Sequence, residues 1–140
     1  MTGSNRESVG LLDTNVLIHW PRLAADQLPR ATAISTITIA ELGAGVLTAA
    51  DPRSRASRLD ILQRAESDFD PLPFDIAAAR AYARVTAAVR HAGRAPRSRV
   101  ADQMIAAIAI ANDLPLFTTN TSDFVGLEQL LRVVPVLRPA

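Results

Sequence analysis

Four carboxylates, Asp13, Glu41, Asp102 and Asp123, each stand alone in a stretch otherwise free of charge. Asp13 follows the apolar run Val9–Leu12, and Glu41 is the only charge between Arg30 and Asp51. Asp102 opens the apolar segment Val100–Ala111, and Asp123 is the only charge between Asp113 and Glu128. Burying an unpaired carboxylate is costly, so such residues need a partner or a use. Brought together, two carboxylates about 5 Å apart repel by about 3 kcal/mol at an effective dielectric of about 20. Four would demand cations. Hard oxygen ligands select Mg2+ or Mn2+, and an ion held by a few carboxylates plus waters suits phosphate substrates. Such an ion can polarise a phosphoryl oxygen, help deprotonate water and offset charge on the leaving oxygen.

The elements that must position these acids are legible as short runs. Val9–Leu12 reads as a buried strand and Thr14–His19 as a helix that Pro21 helps to end, which puts Asp13 at the carboxyl end of a strand. In open α/β sheets ligands bind at that edge. Residues 31–36 read as a second strand, and Ser35 or Thr36 can cap a helix over about 37–49 that carries Glu41. Residues 52–67 form an exposed amphipathic helix and 69–74 a Pro-bounded strand candidate. A helix over about 75–91 follows, with Ala79, Tyr82, Ala83 and Thr86 on one stripe. Val100–Ala111, apolar almost all round, reads as a central buried helix with Asp102 in its first turn. Strands over 114–118 and 132–137 complete the alternation, with a polar loop, 119–124, between them. The pattern predicts a three-layer α/β/α domain with a mainly parallel sheet, spanning residues 1–140, with 1–8 as a flexible extension.

Each acid also has a purely structural explanation. Asp13 and Asp123 could cap helical turns, and Asp102 could favour the positive end of its helix. Glu41, well inside a helix, has no capping role. His19 and His91 both end helices, where a partial positive charge is favourable in itself. The hydroxyls of Thr14, Thr118 and Thr119 are turn and cap groups that, at this edge, can also orient water.

Composition removes several chemistries. The chain has no cysteine, so thiolate metal sites and thiol nucleophiles are excluded, and a reducing cytoplasm is the expected compartment. All fifteen basic side chains are arginine, which rules out a P-loop or Schiff-base lysine. The longest apolar run, 104–111, is too short to span a bilayer, so no membrane association is expected. Net charge is only +1. Its distribution says more.

The runs Leu11-Leu12-Asp13-Thr14-Asn15-Val16-Leu17-Ile18, Ile39-Ala40-Glu41-Leu42, Ala101-Asp102-Gln103-Met104-Ile105-Ala106-Ala107 and Thr118-Thr119-Asn120-Thr121-Ser122-Asp123-Phe124 resemble the ordered motifs of PIN-domain ribonucleases. The likeness is closest to the VapC toxins of bacterial toxin–antitoxin pairs, and it spans nearly the whole chain. It implies a PIN-like fold and a Mg2+- or Mn2+-dependent endoribonuclease, often a homodimer, held inactive by a small cognate antitoxin. Asp13, Glu41, Asp102 and Asp123 match the family's acidic positions as catalytic and metal-binding residues. Many PIN domains carry an acid where this chain has Asn120, so the fourth place is open to Asp123 or Asn120. Thr14, Asn15, Thr118 and Asn120 are the candidates for orienting water around the acids.

From residue 77 to residue 101 there are six arginines (Arg80, Arg84, Arg90, Arg94, Arg97 and Arg99) and no acid. This run leads directly to Asp102. A phosphate backbone could be guided along it, with Arg94, Arg97 and Arg99 next to the site, unless the run is simply a solvated face. Few aromatics are available for stacking, which favours recognition of folded RNA by shape and phosphate. The amphipathic helices at 52–67 and 75–91 could border a groove for a partner helix. Two other classes compete. One is a catalytically silent module that binds RNA or protein, which four intact acids argue against. The other is a phosphatase with Asp13 as nucleophile, disfavoured because Asn15 stands where that chemistry wants a second acid.

Overall fold

A computed structural model describes residues 7–95 and 99–139. Its sheet has four strands: β1 (Val9–Leu12), β2 (Ala31–Ala33), β3 (Leu116–Thr118) and β4 (Val133–Pro135). All are parallel, in the order β2-β1-β3-β4, so β1 and β3 lie side by side in the centre. Leu11 is in register with Leu116, and Leu12 with Phe117.

Alternation along the strands sends these side chains to opposite faces. Leu11 and Leu116 join one core with helices α4 (Ile76–His91) and α5 (Val100–Ala111), including Val85, Ile105 and Ile108. Leu12 and Phe117 join a second with α1 (Thr14–His19), α2 (Thr36–Leu47) and α3 (Pro52–Asp68), through Val16, Leu17, Leu42 and Ala65. These two cores are the interfaces of a three-layer α/β/α domain, as the sequence pattern implies. Gly10, in the middle of β1, lets the Phe117 ring lie against the strand, where a Cβ would stand 2.6 Å from Cδ1.

Side chains start α2, α3 and α4. Ser35 Oγ accepts from the Thr38 amide at 3.1 Å, Asp51 from Ser54 at 2.8 Å and Asp75 from Ala78 at 2.9 Å. Two expectations are corrected. Residues 69–74 form no strand; Ser35 and Leu72 make a single parallel bridge, because Pro71 and Pro73 have no N–H to extend a ladder. The buried stripe of α4 is Ala78, Ala81, Val85 and Val89, whereas Ala79 and Ala83 are exposed. The helix has alanine on every face, and its two valines set the orientation.

Glu7 and Ser8, expected to belong to a flexible extension, accept backbone hydrogen bonds from Arg30 and Ala31, and Glu7 also pairs with Arg132. The rest of that extension lies outside the described residues. Among the described residues no helix is long and apolar enough to cross a membrane.

Candidate active site

The four acids arrive from four different elements. Asp13 sits one residue beyond β1 and caps α1, its Oδ1 accepting from the Thr14 amide at 2.9 Å. Its Oδ2 accepts from Thr118 Oγ1, at the end of β3, at 2.8 Å. Its own amide donates to Phe117 O at 2.9 Å. The pairing of β1 with β3 therefore fixes Asp13 through backbone and side chain alike. Glu41 lies within α2, half-buried, and its Oε1 accepts from Thr14 Oγ1 at 2.6 Å. Asp102 stands in the first turn of α5. Asp123 falls within the 3-10 turn Thr121–Phe124 that follows β3 and accepts from Asn120 Nδ2 at 3.1 Å.

Electrostatics ties the four together. Burial pushes the Asp102 carboxyl up to about 7, reinforced by repulsion from Asp13, Asp123 and Glu41 and opposed by Arg99. Asp13, 2% exposed, is also raised, first by burial, against the hydrogen bonds from Thr118 and Thr14; repulsion from Glu41 and Asp123 adds to it. The capping reading of Asp13 is thus true and incomplete. Asp123 caps no turn: its side chain, 6% exposed, pairs with Arg99 Nη1 at 2.8 Å.

The supporting polar groups divide. Thr118 Oγ1 also accepts from the Asn120 amide at 3.0 Å, and Asn120 Oδ1 accepts from Ser122 at 2.7 Å. Asn120 thus donates to Asp123, so the two candidates for the fourth place are joined by a hydrogen bond. Asn15 is half-buried with no side-chain hydrogen bond among the described residues, and the buried hydroxyl of Thr119 has none either.

The arginines behave differently from a free basic track. Arg94 Nη1 donates to Ser122 O and Val125 O, both at 3.2 Å, and Arg99 bridges Asp123 and, at 3.7 Å, Asp102. Both are engaged with the acidic loop. Arg97 lies outside the described residues. A cavity of about 320 Å³ opens here, lined by Arg94, Arg99, Gln103, Asp123 and Phe124 among others.

Among the described residues, no group of three acid or histidine side chains is set to hold a metal ion as it stands. The donor chemistry nevertheless fits a hard divalent cation, since burial and then repulsion from the other three acids raise Asp102 and no softer ligand intervenes. An open arrangement suits Mg2+, which keeps several waters and needs only one or two carboxylates. One participant went unnoticed in the sequence: Thr38, whose hydroxyl lies 2.9 Å from that of Thr14. Its signal was the spacing to Glu41, since residues three apart on a helix share a face.

Comparisons with known proteins bear on the family and the fold. A family profile described as the PIN domain matches residues 10–128. Ribonuclease VapC5 of Mycobacterium tuberculosis is 38% identical over 128 residues, covering 89% of this chain and 92% of that protein. Ribonuclease VapC8 of the same species is 39% identical over 102 residues, 72% of this chain and 90% of that protein. Among solved structures, VapBC-5 of M. tuberculosis, a member of the VapBC family of toxin–antitoxin systems, superposes with a TM-score of 0.80 at 37% identity, covering 94% of this chain and 98% of that one. FitAcB of Neisseria gonorrhoeae gives 0.67 at 28% identity, covering 89% and 95%.

Proposed function

The chain belongs to the PIN domain family and is of VapC type, and from that premise we propose that it is the toxin of a toxin–antitoxin pair, a Mg2+- or Mn2+-dependent endoribonuclease. The observation that carries the metal dependence is the meeting of Asp13, Glu41, Asp102 and Asp123 from four elements at the carboxyl ends of β1 and β3, close enough that Asp102 feels the repulsion of the other three. Four acids with one arginine among them leave a net negative charge that a cation would offset. Asp13, Glu41, Asp102 and Asp123 would hold it. A bound divalent ion supplies Lewis-acid polarisation of the scissile phosphate and of the water that attacks it.

The chain's own part is positional. Thr118 and the Thr14 amide hold the two Asp13 oxygens, Thr14 Oγ1 holds Glu41, and Asn120 with Arg99 holds Asp123. With these three carboxylates fixed, less reorganisation is needed when charge develops on the phosphate. No side-chain nucleophile is required.

The partner half of the reading is a small cognate antitoxin, with cytoplasmic location and a homodimer as corollaries. A groove of about 640 Å³ supports it, lined by Leu17, Ile18, Trp20, Ile61 and Phe69. It runs between α1 and α3. The wall expected from α4 is absent there, because α4 packs on α5.

Purified protein free of antitoxin should cleave RNA in Mg2+, stop in EDTA and resume when Mg2+ or Mn2+ is returned. Undiminished cleavage in chelator would remove the metal. A folded protein that binds RNA but never cuts it in Mg2+ would instead be the silent binding module.

A further inference from the structure

Thr38 lies in the first turn of α2 and is fully buried, 0% exposed. Its backbone amide is satisfied by the Ser35 cap at 3.1 Å. Its hydroxyl has one hydrogen-bond partner among the described residues, Thr14 Oγ1 at 2.9 Å. It does not bond back to its own helix, the usual recourse of a helical threonine.

The direction of that bond follows from counting protons. A hydroxyl has one hydrogen to donate, and an ionised carboxylate can only accept. Thr14 Oγ1 stands 2.6 Å from Glu41 Oε1, a charge-assisted distance, so its proton lies on that line. Thr38 must then be the donor to Thr14. The bonds run one way, from Thr38 to Thr14 to Glu41, and each polarises the next.

We propose that Thr38 is a positioning residue that orients the Thr14 hydroxyl and, through it, the Glu41 carboxylate. Without the Thr38 proton, the Thr14 oxygen loses the contact that sets its rotation, and Glu41 loses its fixed donor. The inference rests on Glu41 being one of the metal-holding acids proposed above. Thr38 itself touches neither metal nor RNA.

The test uses Thr38→Val, which keeps the shape and removes the hydroxyl, Thr38→Ser, which keeps the hydroxyl, Thr14→Val, and the Thr14→Val, Thr38→Val double variant. Mn2+ affinity is measured by calorimetry, RNA cleavage by kcat and KM, and melting temperature in EDTA. Thr38→Val should weaken Mn2+ binding about ten- to a hundredfold, the usual loss for a group that holds a ligand in place. Its kcat should fall with KM for RNA unchanged, and Thr38→Ser should behave as wild type. The double variant should be no worse than Thr14→Val alone, because Thr38 acts only through Thr14.

Wild-type Mn2+ affinity in Thr38→Val, or losses that simply add in the double variant, would overturn the proposal. Should Thr38→Val not fold, Thr38→Ala removes the same bond and must show the same loss. A wild type that neither binds Mn2+ nor cuts RNA would refute the nuclease reading instead. The melts in EDTA would still decide the Thr38–Thr14 coupling, with non-additive changes supporting it and additive ones refuting it.

Discussion

Arg99 reaches Asp123 with its Nη1 2.8 Å from Oδ1, so the chain places a cation of its own among the four acids. Asp123 is almost wholly buried there and Arg99 about half exposed. The backbone of Arg99 adopts the left-handed conformation, φ 56°, immediately before α5. Non-glycine residues visit that region rarely and at some cost, and such residues cluster at functional sites. A guanidinium expected to face RNA is thus turned inward as a counter-charge.

Arg99→Gln should therefore lower stability in EDTA, by about 1–2 kcal/mol once solvent screening of the half-exposed arginine is allowed for. Mn2+ should recover part of the loss by mass action, since the ion binds the native state. The slope of log RNA affinity against log salt should change by less than the about one unit expected of a free phosphate-binding arginine. Melts in both buffers and a salt titration measure these effects. Coincident melts in EDTA would mean that Arg99 offsets nothing.

Stability without metal should fall as pH rises. Asp102, at about 7, and Asp13, raised in the same direction, hold protons in the folded chain that the unfolded chain has already released. Their contribution is complete below the unfolded value of about 3.9 and is lost as pH climbs through the folded one. Asp51, held low by its hydrogen bonds from Ser54, has the opposite sign and acts only at lower pH. The denaturation midpoint in EDTA should be higher at about pH 5.5 than at about pH 8.5. Equal midpoints would mean that neither burial nor the neighbouring acids raise Asp102 and Asp13.

Asp102→Asn should remove the Asp102 part of that slope. In EDTA at about pH 8.5 the variant should melt above the wild type, by about 2–5 °C if the relief is about 1 kcal/mol. Only near the unfolded value of about 3.9 and below, where Asp102 is protonated in the folded and unfolded chain alike, should the two melt alike, the gap opening as pH climbs towards about 7. Mg2+ should reverse the order by stabilising only the wild type, and cleavage should fall by orders of magnitude. Thermal melts across pH, with and without Mg2+, check the whole set. Losses of equal size in every buffer would reduce Asp102 to a helix-terminus charge.

Two glycines predict opposite outcomes. Gly10→Ala would push a methyl into the buried Phe117 ring and should cost about 1–3 kcal/mol. Gly43, in α2, has nothing within 4 Å of an added Cβ, so Gly43→Ala should gain about 0.5–1 kcal/mol. Denaturant titrations of both variants read the difference.

How much of this was legible in the sequence depended on whether the signal was local. The bounds of β1, α1 and α5 follow from apolar runs ended by polar or helix-breaking residues, and the acids announced themselves as single charges on apolar ground. The parallel sheet followed from the alternation of strands and helices. The failures had physical reasons too. Prolines at positions 71 and 73 removed the donors of an otherwise strand-like segment, and alanine all round α4 left its buried face undetermined. The pairing of Arg99 with Asp123 joins residues 24 positions apart, and no pattern of residue types records it. The bond from Thr38 to Thr14 joins side chains whose nearness arises only when α1 and α2 pack.

The hydrogen bond from Thr118 to Asp13 spans 105 positions of sequence. Asp13, Glu41 and Asp102 are all synthesised before the residue that holds the first of them in place. Parallel pairing between strands so far apart forms late, after the loop-closure entropy has been met. A ribosome that has just released α5 has thus made three of the four acids and no finished site. The site is thus a late product of the chain: the first acid to be made is among the last to be held in its final place.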